Sequence, residues 1–312
     1  MSGRENDFGN ALSEFPPQVR DILAALPTQG GRLDQGQCSE VMGLSGLDLE
    51  GLMVRLLPLA RAFAQAPISG FKVGAVAQAH GPDQDRPAGL FLGANLEFTS
   101  GSLCQTIHAE QAAAANAWHR GARHLTLLAA SEPPCGFCRQ FLQEFQDREG
   151  IRIIIGPKKK RPLQKVSLAD LLGQAFGPAD LGNQYNAATS QPKDLSLDLE
   201  TSPPDSLATL ALEAARASYA PYSGNLAGCA LETEQGRVFR GSYLESAAFN
   251  PSLSPLQAAL IRLNLDQEMK KNGFKRVVLV ERPTLVSQQG AVELMLKGVA
   301  PGVELEYFTA RE

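Results

Sequence analysis

A short segment occurs twice in this chain of 312 residues. Residues 66–70, Ala-Pro-Ile-Ser-Gly, recur as residues 220–224, Ala-Pro-Tyr-Ser-Gly. Each copy follows a segment with amphipathic periodicity, residues 49–65 in the first half and 205–218 in the second, which predicts a helix. A repeat at this spacing predicts that the two halves fold as copies of one structural unit.

Both halves continue with the same alternation of strands and helices after the repeated segment. Short apolar runs bounded by turn residues predict the strands, and helical segments separate them. This alternation is typical of the α/β class, in which helices pack on a sheet. The predicted strands are residues 71–79, 90–94, 124–130 and 152–155 in the first half, and residues 225–233, 237–243, 276–281 and 303–308 in the second.

The chain is long enough for two domains, each with its own core. Residues 182–204 are rich in Asn, Gln, Ser, Thr and Pro and lack apolar periodicity, as expected of a linker. We therefore expect an N-terminal extension of short helices at residues 1–48, a first domain at 49–181, and a second domain at 205–312 after the linker.

Two motifs in the first half carry the residue types of a zinc site. They are His108-Ala109-Glu110 and Pro134-Cys135-Gly136-Phe137-Cys138. Zinc binds imidazole and thiolate ligands, and catalytic sites use three protein ligands and leave the fourth position for water, whose pKa falls toward neutrality. His108, Cys135 and Cys138 supply three ligands. The remaining cysteines, which do not stand at ligand spacing, are Cys38, Cys104 and Cys229. The predicted zinc site therefore has an open fourth position.

Both motifs are expected at helix starts. The alanine-rich residues 111–117 predict a helix that begins near His108, and at the rim of a helix N-terminus His108 and Glu110 can reach one centre. Cys135 and Cys138 share a helical face, and a helix N-terminus favours the thiolate form that binds metal. Glu110 matches the non-ligating glutamate that acts as general acid/base in zinc deaminases.

The motifs extend well beyond the metal ligands. Residues 93–98 (GANLEF), 106–111 (TIHAEQ), 135–141 (CGFCRQF) and 175–178 (AFGP) resemble the two-domain, dimeric cytidine deaminases, and the resemblance runs from about residue 49 to the C-terminus. It implies a duplicated three-layer α/β/α sandwich with an N-terminal helical extension and one Zn²⁺ per chain. It also implies hydrolytic deamination of cytidine and 2′-deoxycytidine with release of ammonia, as in pyrimidine salvage.

The resemblance further implies substrate-binding residues and a partner. Asn95 and Glu97 would hydrogen-bond the ribose hydroxyls, and Phe71 and Phe176 would pack around the nucleoside. Taken alone, the first two could mark a solvated strand end and the phenylalanines could be core residues. The family is homodimeric, and loops of the C-terminal domain help close the neighbouring chain's site. We expect residues 249–255 to form such a loop.

The second half has lost the zinc motifs. Aligning Asn95-Leu96-Glu97 with Tyr243-Leu244-Glu245 places Pro255 opposite His108 and Gln257 opposite Glu110, and residues 281–285 contain no cysteine. We therefore expect a degenerate, non-catalytic domain that does not bind zinc.

Bulk properties agree with an enzyme that acts on small molecules. A net charge of −4 provides no general attraction to nucleic acids, and the basic residues 158–161 are predicted to form a solvated loop. The few cysteines suit a reducing compartment, and neither a signal peptide nor an apolar stretch of about 20 residues is present. We expect a cytoplasmic protein without membrane or nucleic-acid partners.

Two alternatives use the same motifs. A polynucleotide cytosine deaminase would share the metal centre but needs a basic or aromatic channel for the strand, and Glu97 would repel a nearby phosphate. A non-catalytic, zinc-stabilised binding protein would need neither an open metal position nor Glu110.

Overall fold

The computed structural model describes residues 3–81, 87–146, 150–158, 161–188, 198–199, 205–266 and 273–311. No helix within these residues is long and apolar enough to cross a membrane. The helices are α1 (Gly3–Ser13), α2 (Pro17–Ala24), α3 (Gln35–Ser45), α4 (Leu49–Ala62), α5 (Ala109–Trp118), α6 (Gly136–Leu142), α7 (Leu168–Leu171), α8 (Ser206–Arg216), α9 (Pro255–Leu265) and α10 (Gln289–Val299). The strands are β1 (Arg32–Leu33), β2 (Gly74–His80), β3 (Pro87–Ala94), β4 (His124–Ala130), β5 (Arg152–Ile155), β6 (Gln164–Ser167), β7 (Asp198–Leu199), β8 (Ala227–Thr233), β9 (Val238–Ser242), β10 (Phe274–Glu281) and β11 (Leu305–Arg311).

The chain forms two compact units. Unit 1 comprises residues 1–96, 107–176 and 186–189, and unit 2 comprises the remaining residues. These units differ from the expected domain limits, because residues 97–106 and 177–181 of the expected first domain group with unit 2. Most of the expected linker, residues 189–197 and 200–204, lies outside the described residues.

Each unit is built on one sheet. The sheet of unit 1 has the strand order β1-β3-β2-β4-β5-β6, and that of unit 2 has the order β7-β11-β10-β8-β9. The pair β4–β5 is parallel, as is β10–β11, and the other pairs are antiparallel. The series β3-β2-β4-β5 therefore has the same order and directions as β9-β8-β10-β11.

Two glycines show that helices cover both faces of the first sheet. A Cβ atom on Gly74 would lie 2.4 Å from the backbone N of Arg61 in α4, and one on Gly93 would lie 2.2 Å from the backbone N of Ala113 in α5. Gly93 pairs with Ala75, the neighbour of Gly74 on β2, so the two glycines face opposite sides of the sheet. The predicted three-layer α/β/α arrangement is confirmed.

Unit 2 repeats this arrangement. A Cβ on Gly228 would lie 2.1 Å from the backbone N of Ala215 in α8, and one on Gly241 would lie 2.3 Å from the backbone N of Ala259 in α9. Gly241 pairs with Cys229, the neighbour of Gly228, so α8 and α9 also lie on opposite faces. The predicted duplication is confirmed.

The repeated pentapeptide forms the same turn in both units. Gly70 and Gly224 each have φ of +67°, in the left-handed region that glycine adopts without a Cβ penalty. The turn lies between the first helix of the sandwich and its first strand in both cases, so the repeat marks equivalent positions.

The structure differs from the predicted elements at several places. Strand β2 begins at Gly74 rather than residue 71, because the Asn95 side chain accepts a hydrogen bond from the backbone N of Val73 and so replaces a strand partner. The edge strand β6 was not predicted, since its side chains are exposed or half-buried and show no apolar alternation. The N-terminal extension forms α1, α2 and α3, and also adds β1, which pairs with β3.

The predicted alignment of the two halves is wrong by one residue at α9. Leu96 forms an isolated β-bridge with Ile107, and Leu244 forms the equivalent bridge with Leu253. The connection between the bridged residues is two residues shorter in unit 2 than in unit 1, whereas the predicted alignment made it only one residue shorter. Ser254 is therefore the residue equivalent to His108.

Contacts of the helices agree with this corrected match. Ser254 is the N-cap residue of α9, as His108 is of α5, and Pro255 occupies the first helical position, where proline needs no hydrogen-bond donor. Leu256 thus stands where Glu110 stands in unit 1. The conclusion drawn from the sequence remains, because neither a zinc ligand nor a carboxylate occupies these positions in unit 2.

Candidate active site

The first half of the candidate site lies at the start of α5. The chain arrives from the bridge at Ile107 in an extended conformation and turns at His108, the N-cap residue. The backbone N of His108 donates to the side chain of Gln111, 3.3 Å away. All ten residues of α5 are buried, and its alanines keep the helix narrow enough to pack on every side. The imidazole and the Glu110 carboxyl therefore both lie at the first turn, as predicted.

The second half lies at the start of α6. Cys135 is the N-cap residue and Cys138, which is buried, is the third residue of the helix. The guanidinium of Arg139 donates to the carbonyl of Pro134 at 2.8 Å and to that of Leu171 at 2.8 Å, which holds the approach to the helix in place. The centroid of the Phe137 ring lies 5.5 Å from the centroid of the His108 imidazole.

The three predicted ligands converge. The Sγ atoms of Cys135 and Cys138 are 3.7 Å apart, and each lies 3.3 Å from Nδ1 of His108. In a tetrahedral zinc site with the usual bond lengths, two sulfur ligands are about 3.8 Å apart and a sulfur and a nitrogen about 3.5 Å apart. The spacing fits zinc, and so does the donor set of one imidazole and two thiols. Within the described part of the chain, His108, Cys135 and Cys138 form the one cluster of three or more side chains that could bind a metal ion together.

The electrostatics of the three groups are linked. Hydrogen bonds from Cys138 and His108 lower the pKa of the Cys135 thiol to about 3, whereas burial raises the pKa of the Cys138 thiol well above its usual value. The hydrogen bond with Cys135 raises the pKa of His108. The site thus holds protons that a divalent cation would displace on binding.

Glu110 lies beside these ligands without belonging to the group. Its side chain is 4% exposed, and burial raises the pKa of the carboxyl, while a hydrogen bond to its own backbone N–H and the nearby His108 oppose that rise. A carboxyl with a raised pKa can hold and release a proton closer to neutral pH, as a general acid/base requires.

Asn95 and Phe71 contact each other. The Asn95 amide donates to the backbone O of Phe71 at 2.9 Å and accepts from the backbone N of Val73 at 2.8 Å. Asn95 is buried, whereas the Phe71 side chain is 53% exposed. A core role, the other explanation for this phenylalanine, does not suit a ring with that exposure.

The other two predicted substrate residues occupy different parts of the chain. Phe176 is also largely exposed, and its carbonyl accepts a hydrogen bond from the side chain of Gln140 in α6, two residues past Cys138. Glu97 is half-buried and belongs to the segment that groups with unit 2.

Sequence reasoning missed residues that support this site from neighbouring loops. Lys158 and Arg161, assigned to a solvated loop, both form ion pairs with Glu132, three residues before Cys135. No local sequence pattern predicts these ion pairs, because the residues that form them belong to loops that come together only in the folded unit.

Comparison with known proteins agrees with the geometry. Family models described as "Cytidine and deoxycytidylate deaminase zinc-binding region" match residues 48–153 and 168–293. The two matches together span both halves of the chain, including the half that lacks the ligands.

Full-length relatives carry the same family name. A cytidine deaminase from Aliivibrio fischeri is 37% identical over 98% of this chain and 99% of its own length. Those from Pectobacterium carotovorum and Sodalis glossinidius are 38% and 40% identical, covering 93% and 88% of this chain and 94% and 89% of their own. The site defines a zinc-dependent deaminase, and the chain belongs to the cytidine deaminase family.

Replacing one thiol tests the metal assignment. Cys135→Ser should reduce bound zinc from about one ion per chain to a small fraction, because a hydroxyl is a poor zinc ligand beside one imidazole and one thiol. Cys104→Ser, which alters an exposed thiol outside the group, should keep the full content. Metal analysis of the purified proteins measures both. Stoichiometric zinc in Cys135→Ser would show that Cys135 is not a ligand.

Proposed function

We propose that this chain converts free cytidine and 2′-deoxycytidine, with water, to uridine and 2′-deoxyuridine, releasing ammonia, and that it serves pyrimidine salvage as a homodimer. As a member of its family it is a hydrolase that uses zinc and deaminates cytidine. The observation that carries the site assignment is the meeting of one imidazole and two thiols beside the buried Glu110 carboxyl.

His108, Cys135 and Cys138 would hold the zinc ion. When bound, zinc supplies Lewis acidity that makes water reactive near neutral pH. Glu110 takes one proton from the attacking water and delivers it to N3 as the C4–O bond forms, and then transfers the second proton, from the new hydroxyl at C4, to the amino group. The C4–N bond breaks, so that ammonia leaves and the 4-oxo product remains. Burial of the Glu110 carboxyl suits both directions of transfer, since it holds the proton more tightly than an exposed carboxylate does.

The ribose would be bound by Asn95 and Glu97, and Phe71 and Phe176 would flank the nucleoside. A primary amide offers two donors and two acceptor positions. The bonds to Phe71 and Val73 use one of each, which leaves the Asn95 amide one donor and one acceptor position for a ribose hydroxyl. A carboxylate at Glu97 favours a free nucleoside, because it repels the phosphates of a polynucleotide.

The rest of the proposal concerns the domains and the compartment. Residues 49–181 would form the catalytic domain and residues 205–312 a non-catalytic one, in which Ser254 and Leu256 replace the ligand His108 and the acid Glu110. A site with two metal-binding thiols is best kept in a reducing compartment, which favours the cytoplasm.

The proposed dimer gives a role to the loop at residues 249–255. Phe249 adopts φ of 59°, which costs a bulky residue on the order of 1–3 kcal/mol, and its side chain is 61% exposed. Its ring rests edge-on against Tyr222 with centroids 6.4 Å apart. A strained, exposed aromatic residue is a feature expected of a contact made with a second chain, so we propose that this loop closes the partner's nucleoside site.

Glu110→Gln tests the acid/base assignment. The variant should keep about one zinc per chain and lose about 10²- to 10⁴-fold in kcat, because the amide preserves the shape of the side chain but cannot transfer the protons. Glu40→Gln alters an exposed carboxyl on α3 and should behave as the parent enzyme. Ammonia release from cytidine is the readout. Turnover near the parent rate in zinc-loaded Glu110→Gln would refute the assignment.

Hybrid dimers test whether the 249–255 loop serves the partner. Phe249→Asn removes the ring but tolerates the left-handed backbone, and should lose activity alone. After subunit exchange with Glu110→Gln, each hybrid contains one site with an intact Glu110 and an intact partner loop. An equal mixture should regain about one quarter of the parent's active sites. A mixture no more active than the mean of the two variants would show that the loop does not act across a dimer.

A further inference from the structure

Two basic residues after β5, Lys158 and Arg161, are attached to the active-site framework. Their backbones exchange hydrogen bonds of 2.7 Å and 3.0 Å, so the two residues lie side by side. One nitrogen of the Arg161 guanidinium donates to the carbonyls of Ser131 at 2.9 Å and Gly156 at 3.0 Å. This pair of residues is therefore tied to the segment that leads from β4 to Cys135.

Glu132 binds the cationic side chains of both residues. Its side chain is only 15% exposed, and its two carboxylate oxygens pair with the Lys158 ammonium and, at 3.5 Å, with the Arg161 guanidinium. Because Arg161 is also bonded to two carbonyls, the carboxylate has a fixed position and in turn fixes the end of the flexible lysine side chain. The position of the Lys158 ammonium is thus set by Glu132.

The Lys158 ammonium lies over the ring of Phe71. Its Nζ atom is 5.3 Å from the ring centroid, within the range of a cation–π contact. The backbone of Phe71 is already held, because its N donates to Ser69 Oγ at 2.9 Å and its O accepts from the Asn95 amide. The remaining freedom is that of the half-exposed ring, and Lys158 restrains it.

We propose that Lys158, held by Glu132, is a positioning residue that fixes the Phe71 ring in the orientation that receives the nucleoside. This inference rests on the proposed contact between Phe71 and substrate. A ring ordered before binding lowers the entropy lost when the ligand arrives. Lys158 acts through Phe71 and not on the reacting atoms, so its effect belongs in KM and not in kcat.

Lys158→Met keeps the aliphatic stem and removes the charge. Glu132 retains its bonds to Arg161, so the variant leaves no unpaired carboxylate and should fold. We expect KM for cytidine to rise roughly 2- to 5-fold at unchanged kcat, the range of an exposed cation–π contact. Lys158→Arg keeps a cation over the ring and should restore the parent KM. Lys165→Met removes another surface cation, paired with Glu50, and should leave both constants unchanged.

A double-mutant cycle with Phe71→Leu separates positioning from a general charge effect. If Lys158 acts through the ring, Lys158→Met should change KM in the parent but not in the Phe71→Leu background. Glu132→Gln, which releases the lysine, should raise KM in the same way as Lys158→Met. Effects of Lys158→Met and Phe71→Leu that multiply, or an unchanged KM in Lys158→Met, would overturn the proposal.

The cycle also distinguishes this inference from the proposed function. Deamination of cytidine by the parent enzyme, together with its loss in Glu110→Gln, tests the function and does not involve Lys158. An unchanged KM in Phe71→Leu would overturn both the substrate contact of Phe71 and the role of Lys158, and would leave the deaminase assignment intact.

Discussion

The N-termini of two helices of unit 1, α5 and α6, lie next to each other, and the side chains that meet there form the site. Each start carries a metal-binding side chain at its N-cap, His108 on α5 and Cys135 on α6. Both dipoles direct positive ends toward the ligands, which stabilises thiolates there. Gly93 contributes to the site as well, because the close contact between β3 and α5 at this glycine sets how far the first turn of α5 can lie from the sheet.

The parts that were predictable from the sequence are those encoded by local signals. A histidine before an alanine run, and a cysteine after two prolines, mark helix starts, and both start within a residue of the expected position. The halves were recognised as copies because one pentapeptide recurs with a single substitution, and it makes the same left-handed turn in each unit. The α/β class followed from the alternation of strands and helices, the grouping of the three ligands from their residue types and spacing, and the three-layer sandwich from the resemblance to the cytidine deaminases.

The parts that were missed depend on contacts between distant segments. The alignment at α9 was wrong by one residue because the connection after Leu244 is shorter than its equivalent in unit 1, so that Ser254, not Pro255, is the residue equivalent to His108. Glu132 and Lys158 come from loops after β4 and β5, which become neighbours only because those strands pair in parallel. Neither the periodicity of the sequence nor a sequence motif predicts a contact such as the ion pair between Glu132 and Lys158.

The duplicated half shows which constraints belong to the fold and which to the chemistry. Unit 2 keeps the tight packing of Gly228 and Gly241 against α8 and α9, and it keeps the turn at Gly224. It has a serine where unit 1 has the His108 ligand. The sandwich therefore does not need a metal at this position, and the three ligands of unit 1 are best explained by catalysis.

X-ray absorption at the zinc edge of the purified full-length protein would examine the ligand set itself. The arrangement of His108, Cys135 and Cys138 predicts two sulfur atoms at about 2.3 Å and two lighter atoms at about 2.0–2.1 Å, one from imidazole and one exchangeable with solvent or a substrate analogue. A shell closed by a fourth protein ligand, unaltered when an analogue is added, would contradict a catalytic site.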